Sequence, residues 1–416
     1  MKHSKFTSIL CCCFLSLASR LTTAQEWTRF RGYNGSGVSE ATTIPAQWSD
    51  DDYNWKIKLP GGGHSSPVIW GDRLFITSAD PDKGLRYLLC INTANGSTEW
   101  TREYNFTPFK KHSGNSYATT TPVVDSDRVY VLWQARDGSS LDALDHDGNP
   151  VWQHDMGTYK SGHGTGSSPI VYKDMIIVDN DHDAESFLVA VDSATGVVRW
   201  QLPRIGDRAC YSTPCVFEPK DRDAEIIFTH SFRGITGVDA AKGTKNWEID
   251  VFGTHKQRAV GSPVIYNDLV IGSSGFTTAE KNVVAVRPTQ TTTGHQVKEV
   301  YRLNRQVPHV PTPLVYGDRL FLWTDTGIVS CVDVSNGKQI WQKRIGGTYF
   351  GSPVCIGGRL YCIDRDGVVN VVAAADKFEQ LASNELGETC RSTPAASDGV
   401  MYLRTHSQLF SIGGIE

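Results

Sequence analysis

The amino-acid sequence predicts an all-β fold: an eight-bladed β-propeller of four-stranded antiparallel blades. Three observations predict it. The first is an internal repeat, in which a Ser/Thr-Pro pair, a short apolar run, a polar turn and a second apolar run recur. Its prolines are Pro67, Pro122, Pro169, Pro214, Pro263, Pro313, Pro353 and Pro394, spaced 40 to 55 residues apart. Such self-similarity sets the architecture before any local signal does. The second is that each unit divides into four short apolar segments separated by turn residues, the pattern of a propeller blade. The third lies at the two ends. The repeats are preceded by a lone strand-d segment at residues 55–59 and end on strands a, b and c at residues 393–414. Pairing the first strand with the last blade closes the ring and removes the open edges that invite aggregation.

In chain order, residues 1–24 read as a secretion signal. Lys2 and Lys5 give a positive start, residues 6–17 an apolar stretch, and Thr22, Thr23 and Ala24 a small-residue cleavage site. The apolar stretch is too short to span a bilayer as a helix. No cysteine stands where a lipobox would need one, so a secreted or periplasmic protein without a lipid anchor is expected. Losing Lys2, Lys5 and Arg20 takes the net charge from −4 to −7. No basic excess points to nucleic acid; a monomer with no transmembrane segment is expected. Residues 25–52 carry no period and read as an extended lead-in, with Trp27 and Phe30 suited to plug onto the body. Residues 53–416 form the propeller.

Within a unit, strand a begins at the Ser/Thr-Pro, because proline suits a first strand residue that has no ladder donor to supply. A tight turn such as Gly71-Asp72 or Asn267-Asp268 follows. Strand b is apolar, as in RLFITS and RVYVLW. Strand c carries an Ala-x-Asp column at residues 143–145 and 190–192, and strand d carries a Trp.

Cysteine usage follows the repeat. Seven cysteines remain after the signal: Cys90, Cys210, Cys215, Cys331, Cys355, Cys362 and Cys390. An odd number leaves at least one unpaired in a monomer. Cys90 and Cys331 share a column with Ala143, Ala190, Gly237 and Ala285, so that column wants a small buried residue. Cys355 and Cys362 flank a Gly-Gly turn and could face each other across a hairpin, which leaves a disulfide there open.

The segment AVDSATGVVRW at 190–200 resembles the tryptophan-docking repeat of quinoprotein propellers, A-x-D-x-x-T-G-x-x-x-W. Residues 90–100, 143–152, 237–247 and 331–341 match it in part. The lead-in pattern W-x-x-F-R-G-x-x-G-x-G at 27–37 is similar to that of secreted bacterial PQQ-like repeat propellers. The resemblance covers nearly all of the mature chain. It implies blades locked by tryptophans lying on their neighbours. It also implies two functional models: a non-catalytic assembly factor, or a PQQ-dependent dehydrogenase holding pyrroloquinoline quinone with Ca²⁺. The adjacent Cys-Cys pair of such dehydrogenases is missing from the mature chain, and their catalytic Asp and Ca²⁺-binding residues have no matching positions.

Chemistry is expected where the d-to-a and b-to-c connections gather around the channel. The d-to-a connections hold His64, His112, Tyr117, His163, Arg208, Tyr211, His255, Arg258, His309, Tyr349 and Arg391. In an acidic protein this rim is cationic and aromatic, and a cleft of one sign attracts ligands of the other. Three readings compete: a pocket for an anionic small molecule or acidic polymer, a metal site of convergent histidines without ligand-type spacing, and loops that satisfy only backbone and solvent. In the b-to-c connection DNDHDAES, Asp179, Asp181 and Asp183 alternate. A strand would place them on one face as oxygen ligands for Ca²⁺; a solvated acidic turn is the competing reading. Ser65-Ser66 and Ser167-Ser168 resemble nucleophiles, but such pairs recur before the strand-initial prolines and read as structural. The expected function is an exported, non-catalytic propeller binding a ligand or protein partner on its loop-rich face. The alternative is a small PQQ-dependent oxidoreductase acting on alcohols or sugars.

Overall fold

Seven of the eight repeats begin with a hydroxyl that accepts a neighbour's amide. The backbone N–H of Ser66 donates to Oγ1 of Thr121 at 3.0 Å, Thr121 to Ser168, Ser168 to Thr213, Thr213 to Ser262, Ser262 to Thr312, Thr312 to Ser352, and Ser352 to Thr393. These are the Ser/Thr residues that precede the repeat prolines. Each satisfies a buried amide that has no strand partner, since the next residue is a proline that starts a strand. Seven such links run around the channel and join the blades at their inner ends.

The computed structural model describes residues 27–206, 208–253, 258–276 and 280–414. Residues 1–24, which the sequence leads one to expect as a secretion signal, lie outside them. Eight four-stranded antiparallel blades follow one another, the first seven with their strands in chain order from the channel outward. Blade 1 comprises Val68–Trp70, Arg73–Asp80, Leu85–Asn92 and Thr98–Asn105. In blade 8, Ala395–Ser397, Val400–Arg404 and Gln408–Gly413 are completed by Tyr53–Lys58 from the start of the chain, with Lys56 opposite Phe410 and Lys58 opposite Gln408. Closure by the first strand is thus as the sequence predicts.

The outer seams are made by the docking residues. The indole N–H of Trp55 donates to the Thr93 carbonyl, Trp100 to His146, Trp152 to Ser193, Trp200 to Ala240 and Trp341 to Ala375, each carbonyl belonging to the next blade. Tyr301 does the same with its hydroxyl, onto Val334. The rings lie against the glycine of the next turn. Gly196 sits at φ +72°, and a Cβ there would fall 2.7 Å from the Trp152 ring. The turn's Asp accepts local donors: Asp192 takes the amide and hydroxyl of Thr195. The small column also has a cause. Cys90, Ala143, Ala190, Gly237 and Cys331 each stand directly opposite a strand-d tryptophan. All seven cysteines are buried and free. Cys355 pairs in register with Leu360, so Cys362 lies two residues farther along its strand and the two do not form a disulfide.

Two blades depart from the pattern. Blade 5 ends in a long hairpin, Lys281–Thr291 with Gly294–Leu303, so it offers no short turn to blade 4. Trp247 therefore donates within its own blade, to Glu225 at 2.7 Å. Blade 7 has no tryptophan, and its Asn384 instead holds the lead-in through Ala46 and Trp48.

The lead-in does more than rest on the body: it enters the channel. Strand a of each blade is two or three residues long and presents an unpaired edge there. Trp27 and Thr28 accept from the amides of Ile69 and Val124. The Asn34 side chain pairs with both backbone groups of Val216. Val38–Ser39 adds to Val354–Ile356 as a parallel strand. Arg29 donates to the Pro214 carbonyl, and Arg31 to those of Pro313 and Pro353. Gly37, at φ +71°, leaves room for the Arg31 guanidinium, which a Cβ would meet at 2.7 Å. The plug therefore covers inner edges of blades 1, 2, 4, 6 and 7.

Replacing Thr121 by Val keeps the shape but leaves the Ser66 amide without its acceptor. We expect T121V to lose about 1–3 kcal/mol in urea denaturation, while T121S, which keeps the hydroxyl, loses less.

Candidate functional site

The d-to-a connections converge at one end of the channel, above the hydroxyl ring. There they enclose a pocket of about 520 Å³. Its lining includes all eight strand-initial hydroxyls, from Ser66 to Thr393, and Phe30 from the plug. Eight of the predicted rim residues line it: His64, His112, His163, Arg208, Tyr211, Arg258, His309 and Arg391. Phe276, Phe350, Val260 and Val310 add apolar surface. No Asp or Glu is in the lining among the described residues.

Two predicted residues do not take part. Tyr117 turns back to its own connection, donating to the Phe109 carbonyl and packing on Phe106. Tyr349 is wholly buried between blades, where it meets Trp323 edge-on and its hydroxyl accepts from Asn370. His255 lies outside the described residues.

The pocket groups are held by one another. Arg258 spans 2.8 Å from its Nη2 to Nδ1 of His163 and lies over the Tyr211 ring at 5.8 Å. A guanidinium only donates, so that His163 nitrogen is the acceptor and the ring is neutral. Burial, then Arg258 and His112, draws the His163 pKa down. His112 stacks on His163 with ring planes 1° apart. The Tyr211 hydroxyl bonds Ser161 at 3.0 Å. Across the pocket, Arg391 lies 5.3 Å over Phe350. His64 is recessed near it; burial, Arg404, Arg391, His406 and Lys111 together hold its imidazole well below its ordinary value. His309 backs against Asp325, which accepts the amides of His309 and Val310.

The aspartates of the b-to-c connection do not gather as ligands. Strand Met175–Asn180 ends before Asp181, so the alternation does not continue on one face. Asp181 is paired with buried Arg204 at 2.7 Å. Burial and the adjacent Asp181 carboxylate push Asp179 well above the usual range. Asp183 accepts the amide of Ala209. The trio ties the connections of blade 3 together. Among the described residues no three His, Cys, Asp or Glu could hold a metal ion.

The family model described as outer membrane protein assembly factor BamB, of the PQQ-like repeat type, matches residues 46–268 and 279–407. The chain belongs to this family. A curated BamB, the outer membrane protein assembly factor of Moranella endobia, is 23% identical over 274 residues, 63% of this chain and 66% of the relative. The chain thus spans just under two thirds of that relative's length. BamB from Moraxella catarrhalis superposes with a TM-score of 0.62 at 15% identity, covering 86% of this chain and 95% of that one. The quinohemoprotein alcohol dehydrogenase from Comamonas testosteroni gives 0.62 at 12% identity, over 94% and 81%. These structural likenesses show the fold.

Sequence reasoning missed Phe30 and Phe276 as pocket residues and the hydroxyl ring as its lower wall. The recurring Ser/Thr was visible, but its hydroxyls read only as strand starts.

Burial draws His309 down to about 4; Asp325 opposes this, while Lys281 and Arg258 add to it. In the unfolded chain an imidazole takes its proton near pH 6.5. Between these values the unfolded chain binds the extra proton, so stability is full above about pH 6.5 and falls as pH drops toward 4. The midpoint of urea unfolding should show this decline, worth up to about 3 kcal/mol for His309. The H309N variant should flatten part of it.

Proposed function

We propose that this chain is an exported, non-catalytic propeller that acts by binding, and that its pocket-bearing face takes a ligand or a protein partner. The single observation that carries this reading is the pocket lining. It joins guanidinium, imidazole and aromatic groups with no carboxylate among the described residues. The hydroxyls at its wall already accept neighbouring amides. Nucleophilic hydrolysis would need a hydroxyl bonded to a base there, and among the described residues no hydroxyl of the lining bonds an imidazole or a carboxylate.

Membership of a family described as an assembly factor supports the same reading. By extension from those relatives, the partner is a protein met outside the cytoplasm, in the periplasm or beyond.

Pyrroloquinoline quinone with Ca²⁺ does not fit this pocket. Ca²⁺ takes about six to eight oxygen ligands, carboxylates prominent among them, and among the described residues the lining supplies no carboxylate. No cysteine pair is adjacent in the described chain either. The dehydrogenase likeness is one of fold, and fold alone does not carry activity.

Mixed with pyrroloquinoline quinone and Ca²⁺, the purified protein should show no bound visible chromophore and no dye reduction with alcohols or sugars. Either signal overturns the non-catalytic reading. A photo-crosslinking residue in place of the rim residue Arg208 should capture a partner in the producing cell. The same residue in place of Ile340, on the outer edge of blade 6, should not. Capture from Ile340 alone places binding elsewhere and overturns the assignment of the face.

A further inference from the structure

Among the described residues, the positive charge buried in the channel forms no ion pair with a carboxylate. Below the pocket Arg29, Arg31 and Arg404 are buried. Their partners are carbonyl oxygens and a hydroxyl, not carboxylates: Pro214 for Arg29, Pro313 and Pro353 for Arg31, Ser65 and Thr77 for Arg404. Burial draws Arg31 and Arg404 down only to about 9, so both stay charged at neutral pH. Buried cations without counter-charge are costly unless an anion comes near.

The pocket wall adds cations with free valence. Arg258 is 8% exposed, and its Nη1 has no hydrogen-bond partner. Its other Nη is anchored on His163, so the guanidinium is already aimed. Arg391 stands over Phe350 with its Nε unpartnered. Both ring nitrogens of His309 are likewise unpartnered, at 8% exposure. The carboxylates around these groups are held by other donors: Asp325 beside His309 by Lys281 and two amides, Asp183 beside His163 by the amides of Gly162 and Ala209, and Glu388 beside Arg404 by Thr405 and Ser407. A cavity of about 520 Å³ suits a small molecule.

We propose that the pocket is a site for a small organic oxyanion, a carboxylate or phosphate ester on an apolar, ring-sized body. Arg258 and Arg391 are its charge partners, and Phe30 and Phe350 its apolar contacts. The proposal rests on the reading of this face as the binding face and names the chemistry of what enters it. Charged hydrogen bonds made away from water are the strong ones, and here the protein has prepaid their desolvation. His309, neutral at pH 7, adds an N–H without adding charge. Arg258 is held from behind by His163, so binding fixes few new rotamers.

Calorimetric titration of the purified protein with benzoate, phenyl phosphate and benzamide tests this. At least one of the two anions should bind saturably at up to millimolar concentration, more weakly as salt rises, and the uncharged benzamide should not. Which anion binds tighter separates carboxylate from phosphate ester. R258Q and R391Q should each weaken the tighter anion by about tenfold or more. Benzamide matching the anions, no binding of either anion, or unchanged affinity in both variants overturns the proposal. Should a variant fail to fold by circular dichroism, the wild-type comparison of benzoate with benzamide still decides it. If the anions do not bind while crosslinking from Arg208 persists, this inference falls alone. Loss of both removes the reading beneath it.

Discussion

A hydroxyl that accepts the next blade's amide is the interaction on which the rest of this molecule depends. Each proline that opens a repeat ends the possibility of a ladder bond at that point, and the residue before it needs another acceptor. The neighbouring Ser or Thr supplies one, and the neighbour has the same need. Around the channel this becomes a chain of mutual satisfaction. It fixes the inner radius of the propeller. It also spends hydroxyls that would otherwise look reactive, and it leaves a polar wall around a space where the connections meet.

The outer radius is held by a different device. A tryptophan lies on the adjacent turn and bonds its carbonyl, and the residue across the strand must be small to let the ring lie flat. The inner seam is polar and the outer one largely apolar. Where one device lapses, another group substitutes: Glu225 receives Trp247 when blade 5 offers no turn, and the lead-in meets Asn384 when blade 7 has no indole. Dispersed devices of this kind let single blades drift in sequence while the ring remains closed.

The repeat was legible because periodic constraints write themselves into the chain at fixed spacing. The closing strand, the blade count and most of the rim could be read that way. Side-chain direction within an irregular connection could not. Tyr117 and Tyr349 occupy rim connections, yet they turn inward because Phe109 and Asn370 offer partners there. The alternating aspartates failed as a face because their strand stops at Asn180 and Arg204 claims Asp181. The plug was the least legible part. Its bonds go to edges contributed by five blades far away in sequence, and no local period can encode that.

The lead-in and first strand also bear on the order of assembly. Residues 53–58 are made early, yet their partners at 408–413 come last. Closure therefore demands a contact across almost the full length of the chain, the kind that slows folding most. Until it forms, both the first strand and the inner edges of the blades remain open. In a chain made from its amino-terminal end, the strand that completes the last blade is among the first residues to appear, so it waits unpaired for almost the whole of synthesis.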